Sequence, residues 1–270
     1  MSLPDGIRSR HLDNGNGLSI HFLEAGFDQA ARPLLLLLHG FPELAYSWRK
    51  IMLPLAAAGF HVVALDQRGY GETRGWDNRY EGDLASFRFL NLVQDTLGLV
   101  WALGYQTVSA VVGHDFGSSV AGCCALIRPD VFRSVVMMSA PFTGAPVLAN
   151  NASDSDHRSG ARTLAAEQDI HTALAALTPP RKHYQWYYST PQANHNMRHC
   201  PQGVHAFLRA YYHYKSANWK YNQPFQLRAW CADQLAQLPH YYIMNLGQGM
   251  AETVAPEMPS AEVIAASATR

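Results

Sequence analysis

The sequence predicts an α/β fold: a mostly parallel sheet with helices on both faces, followed by an α-helical segment. Three observations carry this expectation. Short aliphatic or β-branched runs alternate with helix-length amphipathic stretches through the first half of the chain. Leu34 to Leu38 is an unbroken leucine run of strand length, as a strand buried on both faces requires. Beyond Pro141 the strand patterns stop, and the chain becomes rich in Tyr, Trp and His.

The elements follow in order. Arg8 to Asp13 alternates, N-G-N-G spans Asn14 to Gly17, and Leu18 to Glu24 alternates again, which predicts a β-hairpin. The Leu34–Leu38 strand ends at His39-Gly40. Leu44 to Ala58 has helical period, with Gly59 as its stop. His61 to Leu65 is the next strand, and Asp66 to Asn78 is a loop rich in Gly and charge. A helix is expected over Phe87 to Leu103, a strand over Thr107 to Val112, a helix over Phe116 to Ile127 and a strand over Phe132 to Ser139. Ala149 to Gly160 is polar, and the remainder shows helical patterns with no confident strand. A domain boundary is therefore expected near residue 145.

Composition narrows the function. The chain has 270 residues, 48% of them hydrophobic, enough for a sizeable core. Lys plus Arg and Asp plus Glu are both 21, so there is no basic footprint for nucleic acid. No apolar run approaches the roughly 20 residues that a membrane span needs. The first twenty residues lack a signal-peptide core, and the four cysteines show neither C-x-x-C nor zinc spacing. A cytoplasmic setting without disulfides, metal or cofactor is the expectation. Oligomeric state is not readable.

Three motifs carry chemistry. In Gly113-His114-Asp115-Phe116-Gly117 a carboxylate stands at a strand-to-helix turn with small residues two before and two after. Such a sharp turn holds its central side chain out at the carboxyl edge of the sheet, and the helix amino end favours a negative charge there. Asp115 is thus a candidate nucleophile, with a helix N-cap as its plain alternative. Ser119, in G-S-S-V-A, is a weaker candidate because it falls four residues later, inside the helix. His39-Gly40-Phe41-Pro42-Glu43 follows the leucine strand directly, and glycine with proline also explains it as a tight turn. Asp66-Gln67-Arg68-Gly69-Tyr70-Gly71 ends the next strand, and Asp66 and Arg68 are expected to brace neighbouring loops rather than to react.

HGFPELAYSWRK, DQRGYGET and GHDFGSSVAG, in this order, resemble the epoxide-hydrolase branch of the α/β-hydrolase superfamily. The resemblance is strong over roughly Gly17 to Pro141 and weaker beyond. It implies an α/β-hydrolase core over residues 1–145, here incomplete, and an α-helical cap over 146–270. In that family the nucleophile attacks an epoxide carbon to form an alkyl ester. The amides of Phe41 and Phe116 would form the oxyanion hole. Tyr184, in His183-Tyr184-Gln185-Trp186-Tyr187-Tyr188, resembles the first of two ring-opening cap tyrosines, with an aromatic helix face as the other reading. A histidine-activated water then releases a 1,2-diol. The implied partner is a small apolar or aromatic epoxide.

The sequence departs from the family late in the chain. All eight histidines after Asp115 lie in the cap-like part, and the tail from Ala251 has none. The expectation is a chain truncated at the C-terminus, lacking the acid, the histidine and the last strands, with a persistent ester and one exposed sheet edge. Neither Tyr241 nor Tyr242 is assignable as the second tyrosine. Two other functions compete. Haloalkane and fluoroacetate dehalogenases share the Asp nucleophile but favour Trp or Arg where this chain has Phe116. A decayed hydrolase scaffold that only binds is the non-catalytic alternative.

Overall fold

A computed structural model describes residues 3–29, 31–140 and 164–268. The chain divides into two compact units, Met1–Ser155 and Asp156–Arg270. The expected boundary near residue 145 lies outside the described residues.

The first unit holds a six-stranded sheet of β1 (Ile7–Asp13), β2 (Ser19–Ala25), β3 (Leu34–Leu38), β4 (His61–Leu65), β5 (Ala110–His114) and β6 (Val135–Met138). Their order is β1-β2-β4-β3-β5-β6. β2 is antiparallel to β1 and to β4, and the remaining pairs are parallel. The N-G-N-G turn forms because the Asn14 side-chain oxygen accepts the amides of Asn16 and Leu18 at 2.9 and 3.1 Å.

The leucine run divides by strand alternation. Leu34, Leu36 and Leu38 face α2 (Phe89–Ala102) and α3 (Phe116–Ile127), packing with Leu92, Val100 and Val120. Leu35 and Leu37 face Trp48, just before α1 (Arg49–Ala57), and Met52 within it. Each fully buried leucine stabilises the fold by roughly 2 kcal/mol. β3 is therefore a firmly seated strand from which a loop could present a site.

The expected elements are present with shifted ends. Leu44–Ala58 resolves into a 3₁₀ turn, Ala45–Trp48, followed by α1. Leu84–Phe87 is a separate 3₁₀ turn before α2, because Arg88 is extended (φ −66°, ψ 150°). β5 begins later than expected and runs on to His114, because its pairing with β3 starts at Leu35–Ala110. β6 is the edge strand in this order, and its four side chains are 38–46% exposed. The Asp66 loop is not a solvated one. The buried Asp66 carboxylate accepts the Ala45 and Glu72 amides at 2.8 and 3.1 Å and meets His21 Nδ1 at 2.6 Å. Arg68 grips Asp95 with two bonds of 2.7 and 2.8 Å. Both residues brace loops, as expected.

The second unit corrects one expectation. It is mainly helical, but β7 (Arg181–His183) and β8 (Ile243–Asn245) pair antiparallel. Each is three residues long, too short for a period-2 pattern to stand out. α4 (Leu164–Ala175) and α8 (Ala232–Leu235) meet β8 through Leu174, Leu235 and Ile243, and α5 (Tyr184–Tyr188), α6 (Pro191–Arg198), α7 (Gly203–Lys215) and α9 (Met250–Val254) enclose a core that includes Tyr187, Phe207, Tyr211 and Tyr241. The four cysteines are free thiols, and burial pushes Cys124 up to about 12. Among the described residues no helix is long and apolar enough to cross a membrane. None of them forms a metal-ligating group of His, Cys, Asp or Glu.

Candidate active site

Asp115 sits between β5 and α3 with φ 54° and ψ −122°, a conformation non-glycine residues rarely adopt. The surrounding glycines are what make it attainable. A Cβ on Gly113 would overlap the Gly117 carbonyl, and one on Gly117 would overlap the carbonyls of Leu38 and His39. One on Gly40 would overlap the Asp115 side chain. The small residues at Gly113 and Gly117 thus let α3 approach β3 and the HGFP loop closely. Gly117→Ala is expected to cost about 3 kcal/mol of stability in urea denaturation, because the opposing atoms are backbone of a buried strand. An unchanged midpoint would show that the turn has room to relax.

The N-cap reading of Asp115 is not what the structure shows. Its side chain makes no capping bond to α3. Instead Oδ1 accepts the Phe41 amide at 3.0 Å, across the gap between the β5 and β3 loops. The carboxylate is half-buried, and its backbone N–H donates to Met138 O at 3.0 Å. The Phe116 amide, at the first residue of α3, makes no hydrogen bond to this carboxylate. The exposed Phe116 ring stacks on Phe89, with centroids 5.6 Å apart. Ser119 lies inside α3, half-buried.

The HGFPE loop is tied down on two sides. His114 Nδ1 meets Glu43 Oε2 at 2.9 Å, which joins this loop to the Asp115 turn. His39 is buried, which lowers its pKa, and its Nδ1–H donates to Gly40 O at 2.9 Å. Its Nε2 accepts the Gln67 amide at 3.2 Å, and the Gln67 side chain donates to the His39 carbonyl. The Tyr70 ring meets the His39 imidazole edge-on, with centroids 4.8 Å apart. A cleft of about 390 Å³ opens here, lined by Phe41, Gln67, Arg68, Tyr70, Trp76, Phe87 and Phe116 among others. Its walls are aromatic, as a site for an apolar or aryl ligand requires.

Tyr184 belongs to the second unit, at the first residue of α5. Its backbone N–H donates to Tyr242 O at 2.8 Å, an extension of the β7–β8 pairing. Its ring meets Tyr188 and Tyr242 at 5.5 and 5.3 Å. The β7–β8 ribbon thereby brings Tyr242 beside Tyr184, which residue spacing alone concealed. Burial raises the Tyr188 phenol far above its ordinary value, and the neighbouring Tyr211, 3.4 Å away between hydroxyls, adds to this. Such phenols stay protonated and able to donate.

A family model described as alpha/beta hydrolase fold matches residues 33–230. Epoxide hydrolase B of Mycobacterium tuberculosis is 38% identical over 176 residues, covering 65% of this chain and 45% of that protein. An epoxide hydrolase of Caballeronia sordidicola is 39% identical over 127 residues, covering 47% of this chain and 36% of that protein. The chain thus spans less than half the length of these curated relatives. Among solved structures, an epoxide hydrolase from an endophytic Streptomyces aligns with TM-score 0.65 and 28% identity. That alignment covers 94% of this chain and 63% of that one. Epoxide hydrolase A from Mycobacterium thermoresistibile aligns with TM-score 0.64 and 26% identity, over 95% of this chain and 67% of its own.

Proposed function

The chain belongs to the α/β-hydrolase fold family, and on that premise we propose that it opens epoxides by nucleophilic attack from Asp115. One observation carries the reading: a carboxylate, not a hydroxyl, occupies the strained turn, and its Oδ1 rests on the Phe41 amide at 3.0 Å. That bond leaves Oδ2 as the attacking atom. The Oδ2–carbon bond forms as the ring carbon–oxygen bond breaks, and the departing oxygen takes a proton from a phenol, the part that the family resemblance gives to Tyr184. Release of the diol would need a base that takes a proton from water as it adds to the ester carbonyl, a part given to no residue of this chain, and the amides of Phe41 and Phe116 would hold the oxyanion formed there. The substrate is a small apolar or aromatic epoxide, in keeping with the aromatic cleft walls. Halide displacement is less well served, because Phe116 offers no side-chain donor to a leaving halide.

The test is an intact-mass time course of the chain with excess styrene oxide. The expected result is an increment of one epoxide that maps to Asp115. Decay of that species gives the hydrolysis rate separately. Tyr184→Phe is expected to slow the labelling roughly 10²-fold. A folded chain that gains no mass would overturn the proposal, and halide release from a chloroalkane without epoxide labelling would replace it with dehalogenation.

A further inference from the structure

Tyr70 is a residue for which the ring-opening chemistry has no use. It lies in the Asp66–Gly71 segment and lines the cleft together with Phe41, whose amide donates to the Asp115 carboxylate, and Phe116, the residue that follows Asp115 in the chain. The polar side chains there differ in their commitments. Gln67 is bound to the His39 carbonyl, and Arg68 is clamped to Asp95 by two bonds of 2.7 and 2.8 Å. The Tyr70 hydroxyl makes no hydrogen bond among the described residues. Its ring is held in place edge-on against the His39 imidazole at 4.8 Å. Its backbone is held too, donating to Gln67 O at 3.0 Å. The result is a fixed phenol with no internal hydrogen bond, in a cleft whose lining includes the rings of Phe41, Trp76, Phe87 and Phe116.

We infer that Tyr70 selects the substrate, taking epoxides that carry a second oxygen near the ring, such as a glycidyl ether, in preference to purely hydrocarbon ones. This inference rests on the Asp115 reading of the same site. The physical reason is desolvation. A hydrocarbon substituent filling the cleft strips water from the Tyr70 hydroxyl and gives nothing back. An ether or hydroxyl oxygen at that place accepts its hydrogen bond. A site that hydrogen-bonds a substrate oxygen discriminates strongly against the analogue lacking it, because its own polar group is then left unpaired. Burial, and then the Asp115 charge, raise the Tyr70 phenol to about 12, so it remains a donor at working pH.

The experiment compares phenyl glycidyl ether with 4-phenyl-1,2-epoxybutane, which has a methylene where the ether oxygen stands and the same length. Initial rates of Asp115 labelling are read by intact mass for the parent chain and for Tyr70→Phe. The parent's ether-to-methylene rate ratio is expected to exceed that of Tyr70→Phe by about tenfold. The phenylalanine keeps the ring on His39, so a merely structural role lowers both rates together and leaves the ratio unchanged. That outcome overturns the inference while the Asp115 reading stands. Failure of the parent chain to label with either epoxide overturns both.

Discussion

Asp115→Asn is expected to abolish covalent labelling by an epoxide, by at least about 10³-fold in rate, without disturbing the fold. Asparagine tolerates positive φ better than other non-glycine residues, and its side-chain oxygen can still accept the Phe41 amide. Shape, backbone and the tie between the β5 and β3 loops are therefore kept. What is lost is the anionic oxygen, since a neutral amide has no comparable nucleophile to offer. The variant thus separates chemistry from architecture in a way that Gly117→Ala cannot. Intact mass gives the labelling rate, and thermal melting verifies that the fold survives. Continued labelling of Asp115→Asn at the parental rate would place the nucleophile elsewhere, and Ser119 would be the first residue to test.

What could be read from the sequence was whatever is encoded over a few neighbouring residues. Leu34–Leu38 announced a strand buried on both faces because five consecutive leucines leave no polar face to turn to water. Gly113 and Gly117 announced a tight turn because the turn itself forbids a Cβ there. Long-range partners were not legible. β7 and β8 are separated by about sixty residues and have three each, so neither carries a pattern of its own. Their pairing is what sets Tyr242 beside Tyr184. The DQRGYG segment was legible as a brace through Asp66 and Arg68, but the cleft-lining position of Tyr70 depends on the seating of His39, some thirty residues earlier. The tie between His114 and Glu43 is likewise a product of strand order, because β3 and β5 are neighbours in the sheet.

Glu24 is the residue the sequence concealed most completely, since it reads as one more polar position at the end of an alternating strand. In the structure it is fully buried. Its carboxylate accepts Arg8 Nε at 2.6 Å and Arg10 Nη1 at 3.1 Å, and it meets His61 Nε2 at 2.8 Å. His61 Nδ1 in turn meets the Tyr105 hydroxyl at 2.8 Å. One carboxylate therefore ties β1, β2 and β4 together. Burial alone would raise its pKa, but the hydrogen bonds from His61, Arg8 and Arg10 and the Arg8 charge outweigh it and bring it from 4.5 to about 2. A folded-state value below the unfolded one means stability that is complete above about pH 4.5 and is lost as the pH falls towards 2. Glu24→Gln is accordingly expected to cost about 3 kcal/mol at pH 7, because it leaves His61 and the two arginines facing a neutral amide that brings donors of its own. The same substitution should cost progressively less between pH 4.5 and 2, where the parent carboxylate is itself becoming neutral. Urea denaturation of both chains at pH 7 and at pH 3 measures the two differences. An equal cost at both values would mean that Glu24 serves the sheet by its shape and hydrogen bonds, and that its charge contributes nothing.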